Sequence, residues 1–188
     1  MKEKHFEMRF SGSGGQGLMT TGDVFAHAAG YEDNEVLLTK SYGPESRGGA
    51  ARSELIIDHG EITYPAITAP NFVLCMSQLS CMSYTSDLAD DAILLIDNGF
   101  VNQLPALKDS VKVYELPLTH IAVETTGKAI AANVVAVGAA SVLCDVASRE
   151  TLEEALKDCF SPRFHESNKA AFEAGIKAAE ALLNEKEQ

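Results

Sequence analysis

Apolar residues recur along the chain in short runs that are separated by polar or glycine-containing segments. Two of these runs, NFVLCMS and AILLIDNG, are continuous, which is typical of strands buried on both faces of a sheet. The run VKVYELPLT contains Pro117, which favours a strand end at a sheet edge or a turn. From these patterns we predict strands at residues 5–10, 35–40, 71–77, 92–99 and 111–119.

Helical periodicity is found between these strands and after them. We predict helices at residues 17–29, 78–89, 129–147, 151–160 and 166–188. The third of these segments is rich in small residues, so we expect it to pack tightly against the sheet or another helix. Thr151 and Glu154 have the spacing of a capping box, and the last residues, 185–188, should fray.

One further segment predicts a β-hairpin. The sequence SELIIDHGEITYP, residues 53–65, places two short apolar runs around the turn-forming triplet Asp58-His59-Gly60. Together with the alternation of strands and helices, it predicts the α/β class. We expect three α/β/α layers around a mixed, mostly parallel sheet with an inserted hairpin. The length of 188 residues, without a linker or repeat, predicts a single domain over residues 1–188.

The charge balance limits the partners that the protein can have. The chain carries 15 basic and 27 acidic residues, a formal net charge of −12. An acidic surface repels polyanions, so we expect no nucleic-acid binding and no association with anionic membranes. No apolar run approaches the roughly 20 residues that span a bilayer, and the start MKEKHFEMRF lacks the apolar segment of a signal peptide. We therefore predict a cytoplasmic protein without membrane insertion.

The four cysteines do not form a metal-binding pattern. None belongs to a CxxC pair, and no histidine lies at ligand spacing from any of them. Cys75 and Cys144 lie within apolar runs, where a free cysteine behaves as a small hydrophobic residue. We interpret all four, including Cys81 and Cys159, as structural, and we predict no metal or iron–sulfur site in this chain.

A glycine-rich loop follows the first predicted strand. Gly12-x-Gly14-x-x-Gly17 leads directly into the first predicted helix, where backbone amides at the helix start attract anions. This context favours a phosphate-binding loop. The alternative is a tight turn that lets strand and helix pack closely, because GxGxxG alone is a weak signal.

Binding of NAD is disfavoured by the second predicted strand. A dinucleotide fold needs an acidic residue at the end of that strand, yet the strand ends at Lys40-Ser41. The acidic Asp33 and Glu35 lie at its beginning, and the five histidines are scattered along the chain. An independent NAD(P)-dependent reductase, with Lys40 binding a 2′-phosphate, remains an alternative.

A second unusual segment is SYGPESRGGAARSE, residues 41–54. From Lys40 to Ser53 there are three basic residues and one acidic residue, which suits a phosphorylated ligand or an acidic partner surface. The glycines after Arg47 would let its guanidinium be presented from a rigid turn. The equally weighted alternative is an ordinary surface loop in which Arg47 pairs with Glu45 or Glu54.

In combination, SGSGGQG and SYGPESRGGAARSELII resemble the gamma subunit of 2-oxoacid:ferredoxin (acceptor) oxidoreductases, nearest the 2-oxoglutarate type. The resemblance continues through ITYPAITAPNFVLCMSQ, LLIDNG, NVVAVGA and NKAAFEAG and covers almost the whole chain. It implies a subunit of a complex that oxidises a 2-oxoacid with coenzyme A (CoA). Such a complex releases CO2 and acyl-CoA and passes two electrons to ferredoxin or another acceptor.

The resemblance also implies a division of cofactors among subunits. Thiamine diphosphate, magnesium and the iron–sulfur clusters would belong to the alpha, beta and ferredoxin-like delta partners, and this chain alone would hold no cofactor. CoA would be a substrate shared with them. The chain would have no catalytic residue and no activity when isolated. A homodimer of the isolated chain, through residues 135–140 or the C-terminal helix, is a further hypothesis.

The resemblance assigns candidate roles to both motifs. The glycine loop would face CoA or its phosphates, and the second segment would lie near the active site of the complex. The candidates are Gly12, Gly14, Gly15, Gln16, Gly17, Lys40, Ser41, Tyr42, Gly43, Glu45, Arg47, Gly48, Gly49 and Arg52. Asn133, for which we prefer a structural hydrogen bond or helix cap, is a weaker candidate. The alternative function is a scaffold subunit whose motifs serve only packing and docking.

Overall fold

Six strands form one sheet in the computed structural model, which describes residues 5–42 and 50–186 (residue 186 by its backbone only). The strand order across the sheet is β2-β3-β1-β4-β5-β6. The strands are β1 (His5–Ser13), β2 (Glu35–Ser41), β3 (Ala50–Asp58), β4 (Phe72–Cys75), β5 (Ile93–Asp97) and β6 (Lys112–Leu116).

The sheet is mixed but mostly parallel, as the sequence predicts. Strands β1, β4, β5 and β6 run parallel, whereas β3 is antiparallel to both β1 and β2. Strand β2 therefore runs in the same direction as β1. As a consequence, the carboxyl ends of five strands and the amino end of β3 lie along one edge of the sheet.

The inserted hairpin is present, but its predicted position at residues 53–65 is wrong. Its two arms are β2 and β3, paired in the register Ser41 with Arg52, and residues 42–49 connect them. Strand β3 already has β2 on one side and β1 on the other, so no edge is left for the segment after Asp58 to pair with. Asp58 instead ends the strand by accepting a hydrogen bond from the amide of Gly60 at 2.8 Å.

Six α-helices accompany the strands in the described part of the chain. They are α1 (Leu18–Tyr31), α2 (Gln78–Ser83), α3 (Leu118–Thr126), α4 (Ala132–Leu143), α5 (Arg149–Cys159) and α6 (His165–Lys186). None of them is long and apolar enough to cross a membrane. Residues 185 and 186 belong to α6, and residues 187 and 188 lie outside the described residues. The expected fraying of residues 185–188 therefore stays a prediction.

Four helices differ from the prediction. Helix α4 begins after a 3₁₀ turn at Ala129–Ala131 and ends at Leu143, so it is shorter than residues 129–147. Helix α3 begins where the sequence predicts a strand end, because Pro117 stops β6 but is also compatible with a helix start. Helix α2 is shorter than residues 78–89. The capping box of Thr151 is wrong, because Ser148 is the N-cap of α5 and accepts the Thr151 amide at 3.2 Å.

The two faces of the sheet carry cores of very different size. Helices α1, α3, α4, α5 and α6 bury the larger core, in which Phe10 stacks on Phe25 at a ring distance of 5.2 Å. The opposite face is covered by α2 and the segments around β5, and its smaller core includes Val73, Cys75 and Ile96. The outcome is the predicted three-layer α/β/α arrangement.

Helix α4 is buried over its first nine residues and approaches α6 at backbone distance. A Cβ at Gly138 would lie 2.0 Å from the carbonyl oxygen of Phe172, and one at Gly175 would lie 2.0 Å from that of Val135. The small residues of this segment thus have the tight-packing role that the sequence predicts. Because residues 135–140 are buried, the hypothesis that they form a dimer surface is wrong.

We expect Gly138→Ala to lower the free energy of unfolding by about 2 kcal/mol or more, because the added methyl group would force α4 and α6 apart. Denaturant unfolding of the variant measures the change. Gly30→Ala is the matched control, since its Cβ would meet nothing within 4 Å in α1. We expect that change to be neutral or stabilising by up to about 1 kcal/mol. Equal stabilities for the two variants would contradict the close helix contact.

Candidate functional site

The glycine loop connects β1 to α1 at the edge where the parallel strands end. Gly15 (φ +91°) and Gly17 (φ +79°) have left-handed backbone conformations that other residues rarely adopt. A Cβ at Gly14 or Gly15 would meet no atom within 4 Å, so this side of the loop is open. An open main chain at a helix start is suited to the close approach of an anionic group.

The side chain of Gln16 fixes the loop to the ends of β1 and β4. Its Oε1 accepts a hydrogen bond from the Ser13 amide at 2.6 Å, and its Nε2 donates to the Met76 carbonyl at 2.9 Å. Both ends of the amide are therefore used within the chain. Gly12 lies within β1 rather than in the loop, and its Cβ would come within 2.4 Å of Gln16 Oε1. Gln16 therefore stabilises the loop conformation, and Gly12 leaves room for its side chain.

Gly17 and Asn133 are in direct contact. The Nδ2 group of Asn133 donates to the Gly17 carbonyl at 3.3 Å, and a Cβ at Gly17 would lie 2.4 Å from that nitrogen. Asn133 is buried in the first turn of α4. The structure therefore gives Asn133 a structural hydrogen bond, which is the role that we preferred from the sequence.

Two depressions lie beside the open glycines. One, of about 350 Å³, is lined by Gly15, Met76, Phe100, Thr119 and Ile130. The other, of about 240 Å³, is lined by loop residues together with Tyr42, which follows β2, and Ala51 of β3. The exposed Tyr42 and the root of the hairpin thus lie beside the glycine loop.

A buried aspartate bonds to Thr119, one of the residues that line the first depression. Asp97, at the end of β5, accepts hydrogen bonds from the amides of Gly99 at 3.1 Å and Thr119 at 3.0 Å. It joins the loops that follow β5 and β6. Sequence reasoning missed this residue, although an acid followed by Asn-Gly directly after a buried strand is a detectable signal.

The predicted cations do not form one patch. Lys40 contacts both carboxylate oxygens of Asp23 on α1, at 2.6 and 2.8 Å. Arg52 lies on the opposite face of the sheet, where its guanidinium stacks on the Tyr84 ring at 5.0 Å. Ser41 is exposed at the end of β2. The candidates Gly43, Glu45, Arg47, Gly48 and Gly49 lie outside the described residues.

A buried arginine that the sequence did not single out organises that opposite face. Arg9 donates from Nε to Glu54 at 2.7 Å, and from Nη1 and Nη2 to Asp87 at 2.6 and 2.9 Å. The Oε2 atom of Glu54 also lies 3.6 Å from Nε of Arg52, so Glu54 forms ion pairs with both Arg9 and Arg52. Burial alone would lower the pKa of Arg9, but the hydrogen bonds that its guanidinium donates to Asp87 and Glu54 outweigh this effect and raise the pKa above its usual value. The network fixes β1, β3 and the segment after α2 to one another.

The cysteines are packed into the structure. Cys75, Cys81 and Cys144 are buried, and Cys159 is partly buried. Burial raises the pKa of the Cys144 thiol, and burial together with nearby carboxylates raises that of Cys159 to about 11. Among the described residues, no group of three or more His, Cys, Asp or Glu side chains could hold a metal ion.

The sheet order separates the fold from a dinucleotide-binding domain. In such a domain the second strand lies directly beside the first, so its terminal acid can reach the ribose. Here the antiparallel β3 lies between β1 and β2. Glu35 starts β2 and lies at the edge opposite the glycine loop. This arrangement gives no support to the NAD(P) alternative.

Comparison with known proteins gives consistent matches over nearly the full length. The family model for pyruvate ferredoxin/flavodoxin oxidoreductase matches residues 7–178. The chain is 36% identical to the 2-oxoglutarate synthase subunit KorC of Methanocaldococcus jannaschii, over 94% of this chain and 95% of the relative. It is 34% identical to the pyruvate/ketoisovalerate oxidoreductases common subunit gamma of Pyrococcus abyssi, over 89% and 94% of the two chains.

Solved structures agree with these matches. A keto/oxoacid ferredoxin oxidoreductase gamma subunit from Geobacter sulfurreducens is 36% identical, with a TM-score of 0.86 and coverage of 95% of this chain and 98% of that chain. The fold also matches 32% of a 2-oxoglutarate:ferredoxin oxidoreductase chain from Magnetococcus marinus, over 96% of this chain, at 24% identity and a TM-score of 0.85. That structure contains 2-oxoglutarate, CoA and succinyl-CoA.

We expect Gly17→Ala to lower the free energy of unfolding by about 1–3 kcal/mol, because the residue needs a positive φ and its Cβ would clash with Asn133. Gly14→Ala, in the same loop but with open space around its Cβ, should change stability by less than about 0.5 kcal/mol. Thermal and denaturant unfolding of both variants test this difference. A destabilised Gly14→Ala chain would show that the open side of the loop is packed.

The Arg9 network predicts a pH-dependent stability. The hydrogen bonds from Arg9 lower the pKa of Asp87 below its usual 3.8 in the folded chain. The ionised carboxylate therefore stabilises the fold above about pH 4. This stabilisation is lost as the pH falls through the lower, folded-state pKa. We expect wild type to be more stable than Asp87→Asn at pH 6 and the difference to shrink below pH 4, as measured by denaturant unfolding. A pH-independent difference would contradict this role.

Proposed function

The chain belongs to the pyruvate ferredoxin/flavodoxin oxidoreductase family, and we propose that it is the gamma subunit of a 2-oxoglutarate:ferredoxin oxidoreductase that contributes loops to the CoA side of the active site. The observation that carries this proposal is the identity of 36% to a 2-oxoglutarate synthase subunit over almost the whole length of both chains. The chain is accordingly a subunit of an oxidoreductase complex.

The proposed reaction oxidises 2-oxoglutarate with CoA to succinyl-CoA and CO2. Two electrons pass to ferredoxin or another acceptor. The thiamine diphosphate, magnesium and iron–sulfur clusters that this chemistry needs are assigned to the partner subunits. That assignment rests on the family to which the chain belongs.

The role of this chain in that reaction is to bind and orient CoA. CoA carries a diphosphate and a 3′-phosphate, and the open glycine loop offers main-chain donors at the start of α1. Gly14 and Gly15 supply the close approach, Gly17 forms the turn into α1, and Tyr42 flanks the loop. The five candidates that lie outside the described residues, Arg47 among them, are proposed to complete this side.

The proposed partners are alpha, beta and ferredoxin-like delta subunits in the cytoplasm. Family membership supports a complex of several subunits, and the acidic charge of the chain disfavours association with nucleic acid. The exposed Phe100 and Ile130 beside the glycine loop suit burial against another chain, because they are large apolar residues at the rim of the depression.

A scaffold role is the second candidate, and a specific observation favours it. Gln16, Asn133 and Lys40 use their polar groups for contacts within the chain. If the same holds for the hairpin connection, both motifs would serve packing and docking alone. The two functions predict different KM values for CoA when a residue on the open side of the loop, such as Gly14, is substituted.

The reconstituted complex tests the function and separates these candidates. We expect CoA-dependent reduction of ferredoxin with 2-oxoglutarate, and at least tenfold lower kcat/KM with pyruvate or 2-oxoisovalerate. A complex carrying Gly14→Ala should show a KM for CoA that is raised about tenfold, because the methyl group blocks close approach of the phosphate. The KM for 2-oxoglutarate should stay unchanged.

Gly30→Ala, which is remote from the loop, is the control and should leave both constants unchanged. A Gly14→Ala complex with the wild-type KM for CoA would favour the scaffold role. A complex that prefers pyruvate would contradict the assignment of 2-oxoglutarate as substrate.

A further inference from the structure

A separate pocket of about 240 Å³ lies behind the glycine loop, between the starts of three helices. Its lining includes Gly17, Thr20, Lys128, Asn133, Phe164 and Asn168. It adjoins both depressions described above, since it shares Gly17 with one and Ile130 with the other. None of the contacts assigned to CoA above explains it.

Three helix N-termini converge on this pocket. Gly17 and Thr20 belong to the start of α1, Asn133 to the first turn of α4, and Asn168 to the first turn of α6. The starts of α1 and α4 have no side-chain cap. The amides of Ala132 and His165 already donate to the carbonyls of Ala129 and Pro162, in the 3₁₀ turns that precede α4 and α6. The start of α1 therefore offers the free amides, and the partial positive charge at the helix starts favours an anion near them.

Asn168 provides an independent sign of a missing ligand. It is 7% exposed, and its buried Nδ2 group has no hydrogen-bond partner. A buried donor without a partner is costly unless a ligand or water satisfies it. A second cavity that Asn168 borders measures about 20 Å³, which holds no more than about one water molecule. The larger pocket, which Asn168 also lines, is the one of the two with room for an organic ligand.

The charges around the pocket also favour an anion. Lys128 lines it, and Arg163 lies next to it with its Cζ 4.6 Å from the ring centroid of Phe164. Neither cation forms an ion pair with a carboxylate among the described residues. No Asp or Glu is among the described lining residues. The local charge is thus positive, whereas the net charge of the chain is −12.

The remaining walls are apolar. Phe160, Phe164, Ile130 and Ala131 face the pocket and can enclose a planar or branched apolar group. We propose that this pocket binds a small organic anion, a carboxylate or a phosphate monoester, whose apolar body packs on Phe160 and Phe164. The charged group lies at the helix starts, where Lys128 contacts it and Asn168 lines the wall.

The test is an NMR titration of the ¹⁵N-labelled full-length chain with phenyl phosphate and phenylacetate. For ligands this small we expect Kd values of about a millimolar. Both should shift the amide signals of Gly17, Asn133 and Asn168 and the side-chain NH₂ signals of Asn168. Benzyl alcohol lacks the charge and inorganic phosphate lacks the apolar body, so each should bind at least tenfold more weakly.

Two variants test the named groups. Lys128→Gln should weaken phenyl phosphate binding about three- to tenfold, because it removes a charged partner of the anion. Lys177→Gln, the same change at an exposed position further along α6, should have no effect. Asn168→Leu should also weaken binding while leaving the Tm equal or higher, since the buried Nδ2 group that it removes has no hydrogen-bond partner.

Competition with CoA identifies the source of the anion. Displacement of phenyl phosphate by CoA would assign the pocket to the nucleotide end of CoA. Shifts at Gly14 and Gly15 without displacement would assign it to a separate small metabolite. If CoA shifts neither glycine and does not displace the probe, CoA binding by the isolated chain fails while the pocket proposal stands.

The proposal is overturned if neither probe shifts the signals of Gly17, Asn133 and Asn168 at up to about 5 mM, a concentration above the expected Kd. It is equally overturned if benzyl alcohol binds as well as the two anions. Full affinity in the Lys128→Gln chain would overturn it too.

Discussion

The backbone contact between α4 and α6 is the constraint on which the site depends. Gly138 and Gly175 let the two helices approach until main-chain atoms touch, and this closeness leaves no freedom to shift one helix along the other. The position of Asn133 on α4 is fixed as a result, and with it the hydrogen bond to the carbonyl of Gly17. The same contact sets the first turn of α6, which carries Asn168. A packing interaction remote from the glycine loop thus determines where the loop ends and how the pocket behind it is shaped.

Most elements of the fold can be predicted from local patterns in the sequence, because their burial is continuous. The runs at β4 and β5 are apolar on both faces and are buried as predicted. The position of the hairpin, by contrast, cannot be predicted from local patterns. Strand β3 could pair with the segment after it or with the segment before it, and the choice is made by β1, which occupies its other edge from a distant part of the sequence. Pro117 likewise fits a strand end and a helix start, and only the packing of α3 decides between them.

The candidate site was predictable in its location but only partly in its side chains. Glycine spacing identifies the loop, and the open Gly14 and Gly15 lie in it as expected from a strand–loop–helix unit. By contrast, the direction of a charged side chain depends on the alternation of the strand. Lys40 pairs with Ser53 across β2 and β3, whereas Arg52 is one residue away and therefore faces the other side of the sheet. The number of charged residues in this segment does not tell which face of the sheet each side chain occupies. It also does not identify Asp23 as the partner of Lys40.

These intrachain pairs bear on how an acidic protein can hold a polyanion such as CoA. With Lys40 paired to Asp23 and Arg52 placed on the other face, the described residues offer mainly main-chain donors around Gly14 and Gly15. Amide donors are effective only when their directions are fixed, since each must point at the same phosphate oxygen. Gln16 and Asn133 provide this fixation by closing the loop from both sides. The internal contacts cited for a scaffold role are therefore also what a main-chain phosphate site requires.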